Sequence, residues 1–258
     1  MSEINVVKRD GTKLPLDLEK LHKVIFYACD GTTGVSASQV ELNSSISFYD
    51  GISTTEIQET MIKSAADLIS EETPNYQFVA GRLITYHLRK EAYGQFDVPK
   101  LIDIVKHNID AKMYEPKLLK WFTEKEFKQL DAMMDHKRDE TFTYAAMEQF
   151  RGKYLVQDRY SKKIFETPQV AMLLIGATLF HDYPKDERMK WIKEFYNSVS
   201  LSEISLPTPV MAGVRTPVRQ FSSCVLIESD DSLDSCLLYT SDAADEGLGV
   251  DLGGRRII

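Results

Sequence analysis

The residues that could do chemistry fall into two groups, and the first is cationic. Lys8 and Arg9 precede an Asp-Gly turn, Lys20 lies in the apolar-periodic stretch that follows, and His87, Arg89 and Lys90 close a later one. Cations converging from a turn and two helix faces can hold a polyphosphate, since each supplies charge-assisted donors to phosphate oxygens. The same residues also read as solvated surface charges, the ordinary fate of a charged turn. The second group lies far along the chain in QFSSCVLIE, with Cys224 at the centre of a strand-like run, Ser223 beside it and Thr208 in the loop leading to it. By type alone Cys224 is a small buried hydrophobe, and the two hydroxyls are turn-stabilising groups. Asp231-Ser232-Leu233 is an acidic turn. Cys29, Cys224 and Cys236 include no C-x-x-C pair, which excludes a zinc ribbon, and are too few for a disulfide scaffold.

The elements that must position these groups can be read from spacing. Asp10-Gly11 between two short runs predicts a β-hairpin at the N-terminus. Leu18, Leu21, Val24, Ile25 and Ala28 give a helix over 18–29, a second fits 38–48, and Ser53-Thr54-Thr55-Glu56 is a capping box opening a third that runs to about Ile69. Thr73-Pro74 predicts the start of a fourth, ending at Gly94. Gln95 to Pro99 reads as a linker. Helices follow at 100–109, around 117–122 and from the Thr123–Glu126 capping box to Asp135. Tyr154–Gln157 and Lys163–Glu166 suggest a second hairpin, Thr167-Pro168 caps an apolar helix over 170–180, and Trp191 to Val199 mark another. Ser205 onward is Pro- and Gly-punctuated loop, leading to a strand over 221–227.

At 258 residues and 43% hydrophobic the chain can bury a proper core. A net charge of −8 argues against a nucleic-acid footprint, which needs a basic face. The absence of a long apolar run and of a secretory-type N-terminus makes the cytoplasm the expected compartment, with no direct membrane binding.

The ordered set V-x-K-R-D-G, the S-x-x-E-I capped helix and H-L-R-K-x-A-Y-G resembles the ATP-cone, a regulatory domain that binds ATP or dATP on a helical bundle under a small β cover. The resemblance spans about residues 4 to 94 and places Lys8, Arg9, Lys20, Thr54, His87 and Lys90 at nucleotide-contact positions. One position departs: Gln58 stands where relatives often carry His. ISLPTPVMAGVRTPVRQFSSCVLIE (204–228), Y-G-Q-F and G-K-Y-L-V-Q are similar to the large (alpha) subunit of class I ribonucleotide reductase, aerobic bacterial type. The resemblance implies a mainly helical α+β fold in four parts. These are an ATP-cone over 1–94, a helical reductase N-terminal domain over 95–219, the first strand of an α/β barrel over 220–235, and a non-native tail over 236–258.

It implies further that Cys224 is one of a redox thiol pair. A radical at C3′ makes a ribose 2′-hydroxyl removable, a neighbouring thiol protonates the departing oxygen, and two thiols supply two electrons and finish as a disulfide. Thr208 and Ser223 would hold the substrate diphosphate, and Asp231, Ser232 and Leu233 would begin the site where a deoxynucleotide effector selects the base. The implied partners are a small (beta) subunit carrying the metal-radical cofactor, a second alpha subunit, and thioredoxin or glutaredoxin as reductant. No metal is expected in this chain.

The closing stretch CLLYTSDAADEGLGVDLGGRRII holds 4 of the chain's 13 glycines and follows neither a helical nor a strand period. Its two ends read in one frame as translated sequencing-adapter DNA, so 236–258 is expected to be library sequence and the rest the front part of a longer enzyme, without turnover of its own. The alternative is a non-catalytic cone-bearing nucleotide sensor.

Overall fold

The computed structural model describes residues 4–158, 160–222 and 231–234. The described residues up to Arg219 form one compact unit; 220–222 and 231–234 belong to a second.

The chain opens with the expected hairpin. Strands β1 (Asn5–Val7) and β2 (Lys13–Pro15) pair antiparallel, Val6 opposite Leu14. Between them Lys8 N–H donates to Thr12 O (2.8 Å) and Gly11 N–H to Lys8 O (2.9 Å). Gly11 takes φ +84°, a left-handed conformation that a side chain disfavours. A third strand, β3 (Ile52–Ser53), joins β1 in parallel through Val6–Ile52 and Val7–Ser53. Two residues are too short a run for alternation to reveal, so sequence spacing gave no sign of it.

Helix α1 (Leu18–Cys29) matches the expected span and is capped by Asp17, which accepts from Lys20 N–H at 3.2 Å. Helix α2 (Ala37–Ser45) follows, then α3 (Thr54–Ala66), whose capping box is complete: Glu56 N–H donates to Ser53 Oγ (3.1 Å) and Ser53 N–H to Glu56 Oε2 (2.8 Å). Helix α4 (Tyr76–Tyr93) begins later than the Thr73-Pro74 signal. The Thr73 hydroxyl turns back to Leu68 O (2.8 Å) and its carbonyl accepts from Tyr76 N–H, so these residues build a turn ahead of the helix. Gly94 at φ +71° ends α4.

Helix α4 is the spine of the unit. Val79, Leu83, Ile84 and Leu88 are fully buried, each contributing about 1.5–3 kcal/mol of burial. It packs against α1 and α3 on one side. On the other it meets the 3-10 helix His136–Thr141 and α8 (Tyr144–Gln149), neither of which sequence spacing signalled. Between them run α5 (Leu101–Asp110), α6 (Leu118–Trp121) and α7 (Glu124–Asp131), the last with the predicted Thr123–Glu126 box. Helix α8 runs into a π-helical turn, Phe150–Tyr154. The expected second hairpin reduces to one bridge, Gln157 with Ile164, because Tyr154 belongs to the π turn and Val156 N–H is taken by the Glu166 carboxylate at 2.7 Å. Helices α9 (Pro168–Leu179), buried nearly throughout, and α10 (Arg188–Ser200) follow. The stretch from Ser205 contains a short helix α11 (Thr208–Gly213), with Pro209 in its first turn where a missing N–H costs nothing.

Candidate functional site

Part of the cationic group converges where the β1–β2 turn meets the end of α4. The Arg9 guanidinium donates to the Lys90 carbonyl, an acceptor shared with Gly94 N–H (3.1 Å). A cation is favoured there because unpaired carbonyls gather at a helix C-terminus. Lys90 Nζ lies 5.6 Å from the centre of the Tyr86 ring. Thr54, half-buried, opens α3, and the parallel register carries it to the same end of the sheet as Lys8. Lys20 is engaged elsewhere: its Nζ pairs with Asp17 Oδ2 at 3.0 Å in the exposed first turn of α1.

His87 is the buried member of the group, 3% exposed. Its Nε2 lies 3.4 Å from Glu59 Oε1 and 3.8 Å from Glu91 Oε2. Burial is the largest influence on its pKa. Glu59 pulls it up, Arg9 and Arg151 push it down, and the outcome is about 4, so the imidazole is neutral near pH 7. Nδ1 is buried with no hydrogen-bond partner among the described residues, and so is Gln58 Oε1 on the packed neighbour α3. Buried polar atoms are nearly always paired, so two orphans on adjoining helices single out this corner as a candidate ligand site. Neutral imidazole, two cationic side chains and a hydroxyl at a helix start are the donors a polyphosphate needs.

Sequence reading missed the residues that hold this group in place. Glu59 also accepts from Arg151 Nη1 at 2.6 Å, and Glu148 takes Nη2 at 2.9 Å. Glu91 Oε1 accepts from Ile164 N–H at 3.0 Å, and burial raises its pKa above the ordinary carboxylate value. The i, i+4 spacing of His87 and Glu91 was available as a signal. The pairing of Glu59 with Arg151, across 92 residues, was not.

Of the second group, Thr208 is exposed at the first residue of α11. That helix is pinned by Arg215, wholly buried, which donates through Nε to Glu166 Oε2 (2.8 Å) and through Nη2 to Tyr154 O (2.9 Å), and also to Met211 O. Glu166, equally buried, accepts from the Tyr114 hydroxyl as well. Burial first, and Glu166 second, raise the Tyr114 pKa far above the usual phenol value, so Tyr114 stays a donor. Ser223 and Cys224 lie outside the described residues, as do most of the predicted 221–227 strand and all of 236–258. Asp231, Ser232 and Leu233 are exposed. Cys29 is a free, half-buried thiol pushed up to about 11, chiefly by burial, and so stays protonated at neutral pH. Among the described residues no cluster of His, Cys, Asp and Glu could hold a metal, and no helix is long and apolar enough to cross a membrane.

The ATP cone domain family matches residues 4–91, and the ribonucleotide reductase all-alpha domain family matches 140–219. The ribonucleoside-diphosphate reductase subunit alpha of Haemophilus influenzae is 51% identical over 260 residues, covering 98% of this chain and 34% of the relative. Ribonucleoside-diphosphate reductase 1 subunit alpha of Escherichia coli is also 51% identical, with the same coverage. The Helicobacter pylori subunit alpha is 34% identical over 232 residues, 90% of this chain and 29% of the relative. The chain thus spans about a third of the length of the curated relatives it matches.

Proposed function

We infer function from kinship: the chain belongs with the alpha subunits of ribonucleoside-diphosphate reductase, and we propose that residues 4–91 are an allosteric cone taking ATP or dATP through Lys8, Arg9, Thr54, His87 and Lys90. The observation that carries this reading is the buried His87 ring, whose Nδ1 has no partner among the described residues, beside Arg9 and Lys90. An arriving phosphate oxygen would satisfy the ring, and the cations would supply the attraction. Lys20 would join after releasing Asp17, an exposed contact whose loss is cheap.

For the whole protein we propose the reduction of ribonucleoside diphosphates to deoxyribonucleoside diphosphates. The Cys224 thiol would be one of the two that deliver electrons, with Thr208 and Ser223 holding the diphosphate and Asp231, Ser232 and Leu233 opening the base-selecting effector site. Burial of Arg215 against Glu166 supports the placement of Thr208, because it fixes the helix Thr208 begins. The partners proposed are a second alpha subunit, a small subunit holding the metal and radical, and a thioredoxin or glutaredoxin. A cytoplasmic setting fits these reductants. The match to the all-alpha family over 140–219 favours the reductase over a cone-bearing sensor.

Calorimetric titration of the 258-residue chain with ATP and dATP tests the cone reading. Saturable heats that weaken in His87→Ala are expected, and no binding by the wild-type chain would overturn it. With about a third of the relatives' length, the chain by itself is expected to form no deoxynucleotide from ribonucleoside diphosphate.

A further inference from the structure

We propose that Arg151, which lies outside the cone segment, is a positioning residue for the effector site: it grips the Glu59 carboxylate against which His87 rests, so that polyphosphate arrival at His87 is registered at the π turn. This rests on the effector reading above and adds a residue and a direction of coupling to it.

The contacts form an unbroken line. Glu59 Oε1 lies 3.4 Å from His87 Nε2 and 2.6 Å from Arg151 Nη1, and Glu148 fixes the other guanidinium nitrogen at 2.9 Å. Arg151 belongs to Phe150–Tyr154, the π-helical turn, a geometry that recurs at functional positions because the widened turn re-aims a side chain. Burial opposes the charge on Arg151, yet the bonds to Glu59 and Glu148 outweigh it and raise its pKa, so it remains a cation. Among the described residues four charged groups act on the His87 ring: Arg9 from the β1–β2 turn, Glu59 from α3, Glu91 from α4 and Arg151 from the π turn.

Their balance leaves the ring neutral before the ligand arrives. A polyphosphate at Nδ1 adds several negative charges at contact distance, which favours the imidazolium. The ring then takes one proton from solvent, donates through Nδ1 to phosphate oxygen, and donates through Nε2 to Glu59. Glu59 must stay in place to accept it, although its side chain is 43% exposed and could otherwise turn to water. The guanidinium of Arg151 prevents that. As Glu59 shares its charge with the new imidazolium, its hold on Arg151 weakens, and the π turn receives the signal.

Linkage turns this into a measurement. Between the free and bound pKa of His87, affinity rises by up to about tenfold for each unit that pH falls. Calorimetric titrations of the 258-residue chain with ATP between pH 8 and 6 would compare wild type with His87→Gln, which records only the nucleotide's own protonation. Wild type is expected to show the steeper rise. Arg151→Met removes the cation's direct push on the ring from free and bound states alike, which cancels in the slope, and by releasing Glu59 it is expected to flatten the rise to the His87→Gln slope, with Arg151→Lys restoring it. A wild-type slope in Arg151→Met, or no rescue by lysine, overturns the proposal while leaving the effector reading intact. Absence of ATP binding by wild type overturns both. Should Arg151→Met not fold, the isosteric Glu59→Gln must give the same flattening, and a wild-type slope there is equally fatal.

Discussion

Arg215→Met removes the guanidinium from a carboxylate that has no access to water. Glu166 is wholly buried and, among the described residues, would keep only the Tyr114 hydroxyl and Val156 N–H, while the carbonyls of Met211 and Tyr154 would lose the Arg215 donor. Breaking a buried ion pair from one side costs about 3–5 kcal/mol, because the surviving charge is left uncompensated. For a unit of this size each kcal/mol moves the melting temperature by about 2–4 °C, so a fall of about 6–20 °C is expected. Thermal and urea unfolding followed by circular dichroism would measure it. The control is Glu166→Gln with Arg215→Met, in which the charge leaves together with its counter-ion. That double variant should recover most of the loss, since a buried pair replaced as a whole is often neutral. A single variant within about 1 kcal/mol of wild type, or a double variant no better than the single, would refute the argument that charge compensation holds α11.

A methyl group at Gly81 would collide with the Phe142 carbonyl oxygen, and backbone on both sides has nowhere to retreat. Gly81→Ala should therefore destabilise by about 1–3 kcal/mol despite alanine's better helix propensity, and a rise in melting temperature would contradict the close packing of α4 on the segment before α8. Asp139 is fully buried, with Oδ2 unpartnered among the described residues and Arg89 Nη2 3.9 Å away, and burial is the main cause of its pKa rising to about 7. A carboxyl whose folded pKa exceeds its unfolded value near 4 favours the fold at low pH, and that contribution is lost as pH rises from about 4 to about 7. Asp139→Asn, which keeps an acceptor for Gln169, should stabilise at pH 8 by a few kcal/mol and far less at pH 4; equal effects at both would count against a buried, protonating carboxyl.

Much of the fold could be read before any coordinates because its signals were local. The hairpin at Asp10-Gly11, the helix over 18–29 and both capping boxes each depend on residues within a few positions of one another. Strand β3, the 3-10 helix, α8 and the π turn depend on packing against distant residues, and no short-range pattern encodes them. The site divides in the same way. His87, Lys90 and Arg9 could be named because type and local order carried them, whereas Glu59, which meets the ring, and Arg151, which grips Glu59, come from distant parts of the chain. Thr73-Pro74 misled in an instructive way, since a hydroxyl and a proline satisfy a turn as readily as a helix start.

Helix α4 serves two neighbours with one backbone. Arg82 donates to Ala28 O and Asp30 O in one direction and to Glu140 O in the other, while Arg89 reaches His136 O. A surgeon cutting the chain at Gly94 would leave Gly81, Thr85 and Arg89 facing water, a flank shaped for Asp139, Phe142 and Met147. Transplanting the first ninety-odd residues onto a foreign enzyme therefore calls for resurfacing that flank, or for carrying 136–154 along as a graft.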